Sequence, residues 1–509
     1  MNEFDNTPII VGVGQQTWRE PDVSRTPIDA IAEVSGLALA DAGIDNLNQA
    51  IDAVAMVRFI ADTDPGTGAL FPRNPGKHAA QSLGISNANF YQGIIGGNSP
   101  QYLVNHFASK LASGEHSAVL ISGAELLATL FSALRTGGDI SAWAGEQEAE
   151  PITIGEERDG LNETEKQYSL YEPINTYPLF ESSLRHHLGR SQEKHQATLA
   201  ELCSTMSQVA AENPFAWEPR AQSADQIRTV SEKNRYIGYP YTKAMNPILA
   251  VDMGASLVMT TVGKARELGI DPSQWIYVRA GVDLNDAWYL SERPSLHESP
   301  AIRLAWRTLA DATGIDIDSV TDFDLYSCFP SAVEVACNEI GLTVQDSRGV
   351  TVTGGLPYMG GPGNNYSLHG IAAMTSRLRN RGKGHGLVTA NGLYLTKHSL
   401  GLYSTEPPKT QWEALDSGAL QQQLDKLPTL SLATEPGGAA TIEAFTVTFD
   451  RNGPKAGIVI ARNDADERVL AYTRSDAATL KQLLDEGPVG RSGVVTVEDG
   501  VNIFESMQE

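Results

Sequence analysis

Cysteine is scarce: Cys203, Cys328 and Cys337 are the only 3 thiols in 509 residues. That count and spacing fit neither a disulfide framework nor a cysteine-type zinc site. Basic residues are also short, 38 Lys and Arg against 62 Asp and Glu, for a formal net charge of −24. Such a chain repels nucleic acid and anionic membrane surfaces, although a local basic patch can still hold one small anion. No stretch approaches the ~18 consecutive apolar residues of a membrane span. The opening MNEFDNTPIIVGVG has no basic segment followed by a long apolar one, so no secretory signal is expected and the chain reads as cytoplasmic. The glycine turns at Gly14, Gly96-Gly97 and Gly360-Gly361 spell neither a dinucleotide fingerprint nor a P-loop, which argues against NAD and ATP. No metal and no tightly bound cofactor are expected.

What is present is ordinary for a soluble globular protein: 41% hydrophobic and 20% charged residues. The length suggests about three structural units. Short apolar strands alternate with amphipathic helices, the pattern of an α/β domain. Pro8–Gly14 reads as a buried strand. Thr26-Pro27 looks like an N-cap followed by proline in the first helical position, opening a helix that stops near Gly43. Ile51–Val57 is a further strand.

Two later segments share a plan. In the first, a strand (90–95) meets the turn Gly96-Gly97-Asn98-Ser99-Pro100, then a helix to Gly114 with Leu103, Phe107 and Leu111 on one face, then strand 118–123. In the second, a strand from Val350 ends at Gly354-Gly355. The turn Gly360-Gly361-Pro362-Gly363-Asn364-Asn365 follows, then a helix with Leu368, Ile371, Ala372 and Leu378, and strand 386–390. A glycine-rich strand-to-helix junction presents backbone N–H groups and the positive end of a helix dipole to a ligand. It also simply makes a tight turn; the repeated plan keeps both readings open.

Residues 126–245 break the rhythm, with Tyr168, Tyr171, Pro173, Tyr177 and Pro178 in one run, and read as an insertion lying over the domain where a substrate enters. Beyond Glu406-Pro407-Pro408, segments 441–449, 456–461, 468–473 and 494–497 alternate like strands, with one helix near 476–485. That tail reads as a separate small β domain or barrel.

Length, duplication and local wording resemble the thiolase superfamily over roughly residues 6–405. Lys110-Leu-Ala-Ser-Gly114 with Ala118–Glu125 is similar to the family's helix, Ser/Ala-Gly, strand and Gly-x-Glu element. Asp324-Leu-Tyr-Ser-Cys-Phe-Pro-Ser-Ala resembles the HDCF segment of sterol-carrier-protein-type thiolases, or NEAF in other branches. Gly354-Gly355 followed by Gly360-Gly361-Pro362 resembles the GG-x4-GHP element. The resemblance implies a duplicated five-layer αβαβα thiolase fold, and the last hundred residues resemble the extra OB-like domain of a thiolase-like branch. The expected division is 1–265 and 266–408 for the two halves, with the insertion in the first, and 409–509 for the added domain.

The resemblance also locates what is missing. The family's nucleophilic cysteine falls on Gly97, in Gly97-Asn98-Ser99-Pro100 where the family has Cys-Gly-Ser-Gly. Its activating GHP histidine falls on Gly361, and the Asn or His of NEAF/HDCF falls on Tyr326. The C-x-G cysteine falls at Ala390-Asn391-Gly392. An acyl-thioester cycle through a helix-end thiolate therefore lacks both nucleophile and base. Cys328 matches the HDCF cysteine, which the resemblance makes an acid/base; it also reads as a small buried hydrophobe. Steroid-degrading relatives that carry tyrosine at the position of Tyr326 imply retro-aldol cleavage of a 3-hydroxyacyl-CoA by two tyrosines. Their second tyrosine falls on Gly361, leaving Tyr358 or Tyr366 as substitutes. His369 is a further catalytic candidate beside a helix-packing reading. Gly97, Asn98, Ser99, Gly360, Gly361, Asn364, Asn391 and His398 are candidates for substrate binding, with Ser99 read as a turn or N-cap residue because no Gly-x-Ser-x-Gly elbow surrounds it.

The resemblance thus implies a small-molecule acyl-CoA substrate, with coenzyme A arriving as part of it, and C–C bond cleavage or formation, acyltransferase or retro-aldol in type. Arg73, Lys77, Arg377, Arg379, Arg381 and Lys383 are local cations for the CoA phosphates or solvated surface charges. The alternative is a catalytically silent scaffold that binds acyl-CoA or a partner. A monomer or homodimer is expected.

Overall fold

The computed structural model describes residues 4–145 and 149–506. Its first half runs β1 (Pro8–Thr17), α1 (Pro27–Asp41), β2 (Ala53–Met56), α2 (Pro75–Ser82), β3 (Asn89–Gly93), α3 (Ser99–Ala112) and β4 (Ala118–Leu126). The insertion follows with α4 (Leu127–Thr136), β5 (Ile152–Ile154), α5 (Glu163–Gln167), α6 (Pro173–His187), α7 (Gln192–Glu212), α8 (Ala224–Arg228), β6 (Tyr236–Gly238) and β7 (Tyr241–Thr242). β8 (Asp252–Thr261) and α9 (Val262–Leu268) lead to the second half: β9 (Ile276–Asn285), α10 (Pro300–Thr313), β10 (Asp322–Asp324), α11 (Pro330–Ile340), α12 (Tyr366–Arg381), β11 (His385–Gly392) and β12 (Lys397–Ser404). The tail holds α13 (Ser417–Leu424), β13 (Gly438–Asp450), β14 (Gly453–Asn463), β15 (Arg468–Thr473), α14 (Ala477–Glu486), β16 (Ser492–Glu498) and β17 (Val501–Ser506).

The duplication is written in the strand order, β10-β11-β12-β9-β1-β8-β4-β2-β3-β5. At the centre β1 and β9, the first strands of the two halves, meet antiparallel, Ile9 opposite Tyr277 and Ile10 opposite Ile276. Outward from that seam each half repeats the same sequence: an antiparallel strand (β8 or β12), then β4 or β11, then a parallel neighbour, β2 or β10. β4 and β12 are buried at every position, as strands covered on both faces must be. Between the two sheet halves lie α3 and α12, whose Leu103, Phe107 and Leu111 share one core with Leu368, Ile371 and Leu378. α1 covers the outer face of the first half through Ile31 and Val34, and α10 and α11 cover that of the second through Leu309 and Val333. The result is the five-layer αβαβα arrangement.

Local chemistry explains the starts and close approaches. Thr26 caps α1 in a reciprocal box with Asp29, and Pro27 supplies the first helical residue. A Cβ on Gly14 would stand 2.7 Å from the Ala38 nitrogen, so glycine lets α1 lie directly on β1. Two expectations need correction. Val350–Gly355 forms no strand: the Asp324 carboxylate accepts from Val352 N (3.1 Å) and from the hydroxyls of Thr351 (2.8 Å) and Thr353 (3.1 Å), and so takes the bonds a sheet neighbour would make. The tail also holds a second helix, α13, before its strands.

The tail strands close on themselves in the order β13-β14-β15-β17-β16-β13, with β15 and β17 parallel and α14 between the third and fourth strands. This five-stranded closed sheet is the expected OB-like domain. It is less separate than its sequence suggests, because β6 and β7 of the insertion extend its sheet through Thr448 opposite Gly238. The Phe445 N–H donates to Ser182 Oγ at 2.9 Å, and the Asn502 N–H to Tyr168 Oη at 2.8 Å, tying the barrel to the insertion.

Candidate functional site

The turn after β3 brings Gly96 and Gly97 under the start of α3, and the loop from β10 to α11 brings Tyr326 over it. A Cβ built on Gly97 would fall inside the Tyr326 hydroxyl, 2.6 Å from its Cζ and 2.6 Å from the Asn391 carbonyl oxygen. Gly97 has no positive φ, so the backbone does not demand glycine there; the phenol does. The Tyr326 N–H donates to Thr389 Oγ1 at 2.9 Å, and its ring stands edge-on to Tyr366 at 5.6 Å. Burial pushes its hydroxyl far above the ordinary tyrosine range, with the neighbouring Cys328 adding to the effect. Tyr326 is therefore a neutral phenol filling the space that a side chain at position 97 would take.

Cys328 lies beside it in a three-membered network. Asn391 Nδ2 donates to Tyr177 Oη at 2.8 Å and approaches Cys328 Sγ at 3.8 Å, while the Tyr177 hydroxyl donates to the Leu393 carbonyl at 3.0 Å. Tyr177 also stacks on Phe329 at 4.5 Å. Burial raises the Cys328 thiol to about 12, so it is protonated at neutral pH and is a weak nucleophile. Tyr177, from α6 of the insertion, is a site residue that sequence reasoning did not single out. Its only signal was its place in an aromatic, proline-bearing run. Of the two substitutes for the second tyrosine, Tyr366 lies against Tyr326 with its hydroxyl paired to Thr353 Oγ1 at 2.7 Å, while Tyr358 lies against Cys203 of α7.

The two glycine turns interlock rather than standing open. Asn364 Oδ1 accepts from the Gly96 N–H at 3.0 Å, the Gly361 N–H donates to the Ile248 carbonyl at 2.8 Å, and Ser367 Oγ donates to the Gly97 carbonyl at 2.7 Å. The Gly96 and Gly361 N–H groups are thus taken up by the protein itself. Gly360, with φ +112°, packs against Met253, and a Cβ on Gly361 would meet nothing closer than 3.4 Å, so a Cβ fits at 361 as it does not at 97. Asn98, not Ser99, is the residue at the N-cap of α3, and it makes no side-chain cap bond. Its buried Oδ1, Ser99 Oγ and Asn391 Oδ1 all lack a protein partner. Unpaired buried polar atoms cost about 1–3 kcal/mol each.

His369 stands apart from this cluster. Its Nδ1 faces Gln15 Oε1 at 2.9 Å, and burial lowers its pKa to about 3, leaving a neutral imidazole. His398 is likewise engaged elsewhere, its Nε2 3.1 Å from Asp286 Oδ2. Burial alone would raise the Asp286 carboxyl, but His398, Arg293 and Ser299 together hold it below its ordinary value. Of the expected phosphate-binding cations, Arg377 and Arg381 both bond Asp322 (3.0 and 2.9 Å), and Arg379 bonds Asp41. Among the described residues Glu181, His195 and Glu334 come within 4.8 Å of one another. Arg190 already sits 2.8 Å from Glu334 and 3.3 Å from His195, so the group reads as an ion-paired clasp of α6, α7 and α11.

A cavity of about 820 Å³ opens beside the turn, lined by Asn98, Tyr102, Trp288, Lys397 and His398 and walled by α13 and the segment after it. Tyr326, Cys328, Gly97 and His369 do not line it. Lys397 is the second residue that sequence reasoning passed over.

Comparison with known proteins places this geometry. The profile of the thiolase-like protein type 1 additional C-terminal domain matches residues 419–500. No curated protein matches the chain. The crystal structure of a monomeric SCP2-thiolase like protein type 1 from Mycobacterium smegmatis is 34% identical, with a TM-score of 0.83, over 99% of this chain and 100% of that one. The Ltp2–ChsH2(DUF35) aldolase shares the fold, with a TM-score of 0.58 and 18% identity over 80% of this chain and 100% of that one. Similarity at that level over nearly the whole length, with the same added domain at the end, leaves one assignment: the chain belongs to the SCP2-thiolase-like proteins of type 1.

Proposed function

We propose that the protein acts on acyl-CoA substrates, with coenzyme A as part of the substrate, by breaking or making a C–C bond without a covalent acyl-enzyme. The observation that carries this reading is the Tyr326 phenol standing in the space of the nucleophile's side chain, flanked by the neutral thiol of Cys328 and by Tyr177. Groups whose pKa values are all raised serve as proton donors rather than as nucleophiles. In a retro-aldol step the C2–C3 bond of a 3-hydroxyacyl-CoA breaks, its electron pair becomes a thioester enolate that one of these acids protonates at C2, and the substrate's hydroxyl proton returns to that acid's conjugate base as the hydroxyl carbon becomes the carbonyl. The unpaired Asn98 Oδ1 and Asn391 Oδ1 are acceptors for the substrate's hydroxyl or pantetheine amide. An aldolase built on the same fold is consistent with this class of reaction. Incubation with 3-hydroxyacyl-CoA and 3-ketoacyl-CoA panels tests it: carbonyl product and a shortened acyl-CoA are expected from the former, with loss in Tyr326→Phe. An acyl adduct on Cys203, Cys328 or Cys337 would refute the non-covalent mechanism.

A second reading is favoured by one observation: the Tyr326 cluster does not line the open cavity. On that reading the chain is a catalytically silent scaffold that binds acyl-CoA or a partner. Saturable acyl-CoA binding by calorimetry, with no turnover in either panel, would select it. We further propose a cytoplasmic monomer; sedimentation at micromolar concentration distinguishes it from a homodimer.

A further inference from the structure

We propose that Lys397 is a carbonyl-capturing amine, and that the cavity in front of it admits a neutral aldehyde or ketone that condenses with its Nζ to an imine. The geometry comes first. Lys397 opens β12 and is 6% exposed, and its side chain runs past the nucleophile turn. A Cβ on Gly96 would stand 2.8 Å from its Nζ, and one on Gly392 would stand 2.9 Å from its Cε, so two glycines make the channel for its stem. Its Nζ donates to the Ile95 carbonyl, and among the described residues no carboxylate lies within ion-pair distance of it. Lys397 thus lines a large cavity with one neutral protein partner on its amine, and Asn98, whose buried Oδ1 is unpaired, lines the same cavity.

Charge chooses the ligand class. On the cavity wall Glu156, Asp283, Asp286, Glu292, Glu298 and Asp425 outnumber Arg158, Arg293, Arg303 and Lys397. A phosphate-bearing ligand is disfavoured by such a wall, while an uncharged carbonyl compound is not. Burial also lowers the Lys397 pKa to about 8, with the charge of Glu157 alone opposing it, so a substantial share of the amine is unprotonated at neutral pH. A desolvated lysine in that state is the form that attacks carbonyl carbon. The balance is simple: the nitrogen lone pair forms the C–N bond, the carbonyl oxygen takes a proton to give the carbinolamine, and water leaves to give the imine. Asn98 Oδ1 is placed to accept from the carbinolamine hydroxyl. No oxidant or reductant enters. Lys397 and its uncharged ligand differ from the side chains and substrate of the acyl-CoA reading, but both readings draw on Asn98, so the two ligands would compete for that residue.

The test uses the full chain, hexanal and sodium cyanoborohydride at pH 7.5, with intact-mass and peptide mapping. An exposed lysine of pKa ~10.4 is about 0.1% unprotonated there, so Lys397 should label at least ~10-fold faster than any other lysine, the α-amino group being scored separately. Lys397→Arg should abolish that adduct. Leu427→Trp, at the exposed rim of the cavity, should slow it several-fold while leaving surface labelling unchanged, and it guards against misfolding of the Lys397 variant. Labelling spread over surface lysines without preference for Lys397, or labelling that persists undiminished in either variant, would overturn the proposal.

Discussion

Adding one methyl group at Gly97 tests whether Tyr326 has replaced a nucleophile in space as well as in sequence. Gly97→Ala places a Cβ 2.6 Å from Tyr326 Cζ and 2.6 Å from the Asn391 carbonyl oxygen. Both distances fall about 1 Å short of ordinary contact. One wall cannot retreat: Asn391 lies on β11, bonded to β12 through His398, and both strands are buried. The other is a ring held edge-on against Tyr366. Overpacking of a filled core costs about 1–3 kcal/mol, and two stiff walls put this site toward the upper figure. Urea unfolding of Gly97→Ala should therefore show a midpoint lowered by an amount corresponding to ~2–3 kcal/mol. In a Tyr326→Ala background, where one wall is gone, the same methyl should cost ~1 kcal/mol less, a coupling that a double-mutant cycle resolves. If Gly97→Ala is within ~0.5 kcal/mol of the parent, or its cost is the same with and without the phenol, the steric argument fails.

The raised thiols predict slow chemistry: Cys203 and Cys328 at about 12 should react with iodoacetamide at pH 8 far more slowly than the same residues in urea, and equal rates would contradict their burial. Glu125 is buried with one oxygen on the Ile60 N–H (2.8 Å) and the other unpaired, and its pKa is raised to about 8 against 4.5 unfolded. The native state then holds more protons than the unfolded one across that window, so stability falls as pH rises from 4.5 to 8, by ~5 kcal/mol at most. Glu125→Gln keeps the Ile60 bond and should flatten this slope and exceed the parent at pH 9 in urea unfolding; an unchanged slope would refute the assignment. His369, at about 3 when folded, binds fewer protons than the unfolded chain below pH 6.5, so its contribution to stability is lost as pH falls from 6.5 toward 3. Its imidazole resonances should not shift between pH 7 and 4.5, and a midpoint near 6 would show that it is not enclosed as described.

Local chemistry made much of this fold legible. Thr26-Pro27 with Asp29 announces α1, the apolar faces of α3 and α12 repeat visibly, and the alternation beyond residue 440 marks the barrel. What stayed hidden depends on partners distant in the chain. Val350–Gly355 has strand-like residues, yet its hydrogen bonds go to a carboxylate more than 25 residues earlier. At the site, Tyr326 and Cys328 were legible because they keep fixed spacing to a motif. Tyr177 was not, since it reaches Asn391 from 214 residues away. Lys397 was overlooked for a related reason: in Thr396-Lys397-His398 the histidine draws attention, but enclosure of the lysine by Gly96 and Gly392 is set by tertiary approach alone.

Gly97 and Gly361, alike in sequence, depart from the family's pattern in physically different ways. At Gly361 a Cβ would make ordinary contacts, nothing closer than 3.4 Å. At Gly97 the phenol of Tyr326 fills the space, so a side chain at 97 and a tyrosine at 326 exclude one another. The rest of the site is organised around that exchange. Asn391 supplies both the carbonyl that closes the other side of Gly97 and the amide that holds Tyr177 near Cys328. A reversal of one residue would therefore meet the others, since a thiol at 97 needs Tyr326 gone and the removal of Tyr326 leaves Cys328 and Tyr177 facing a gap. That interdependence is what the proposed proton-donor site requires, whereas on the scaffold reading Tyr326 would be exchangeable for any residue that fits a core.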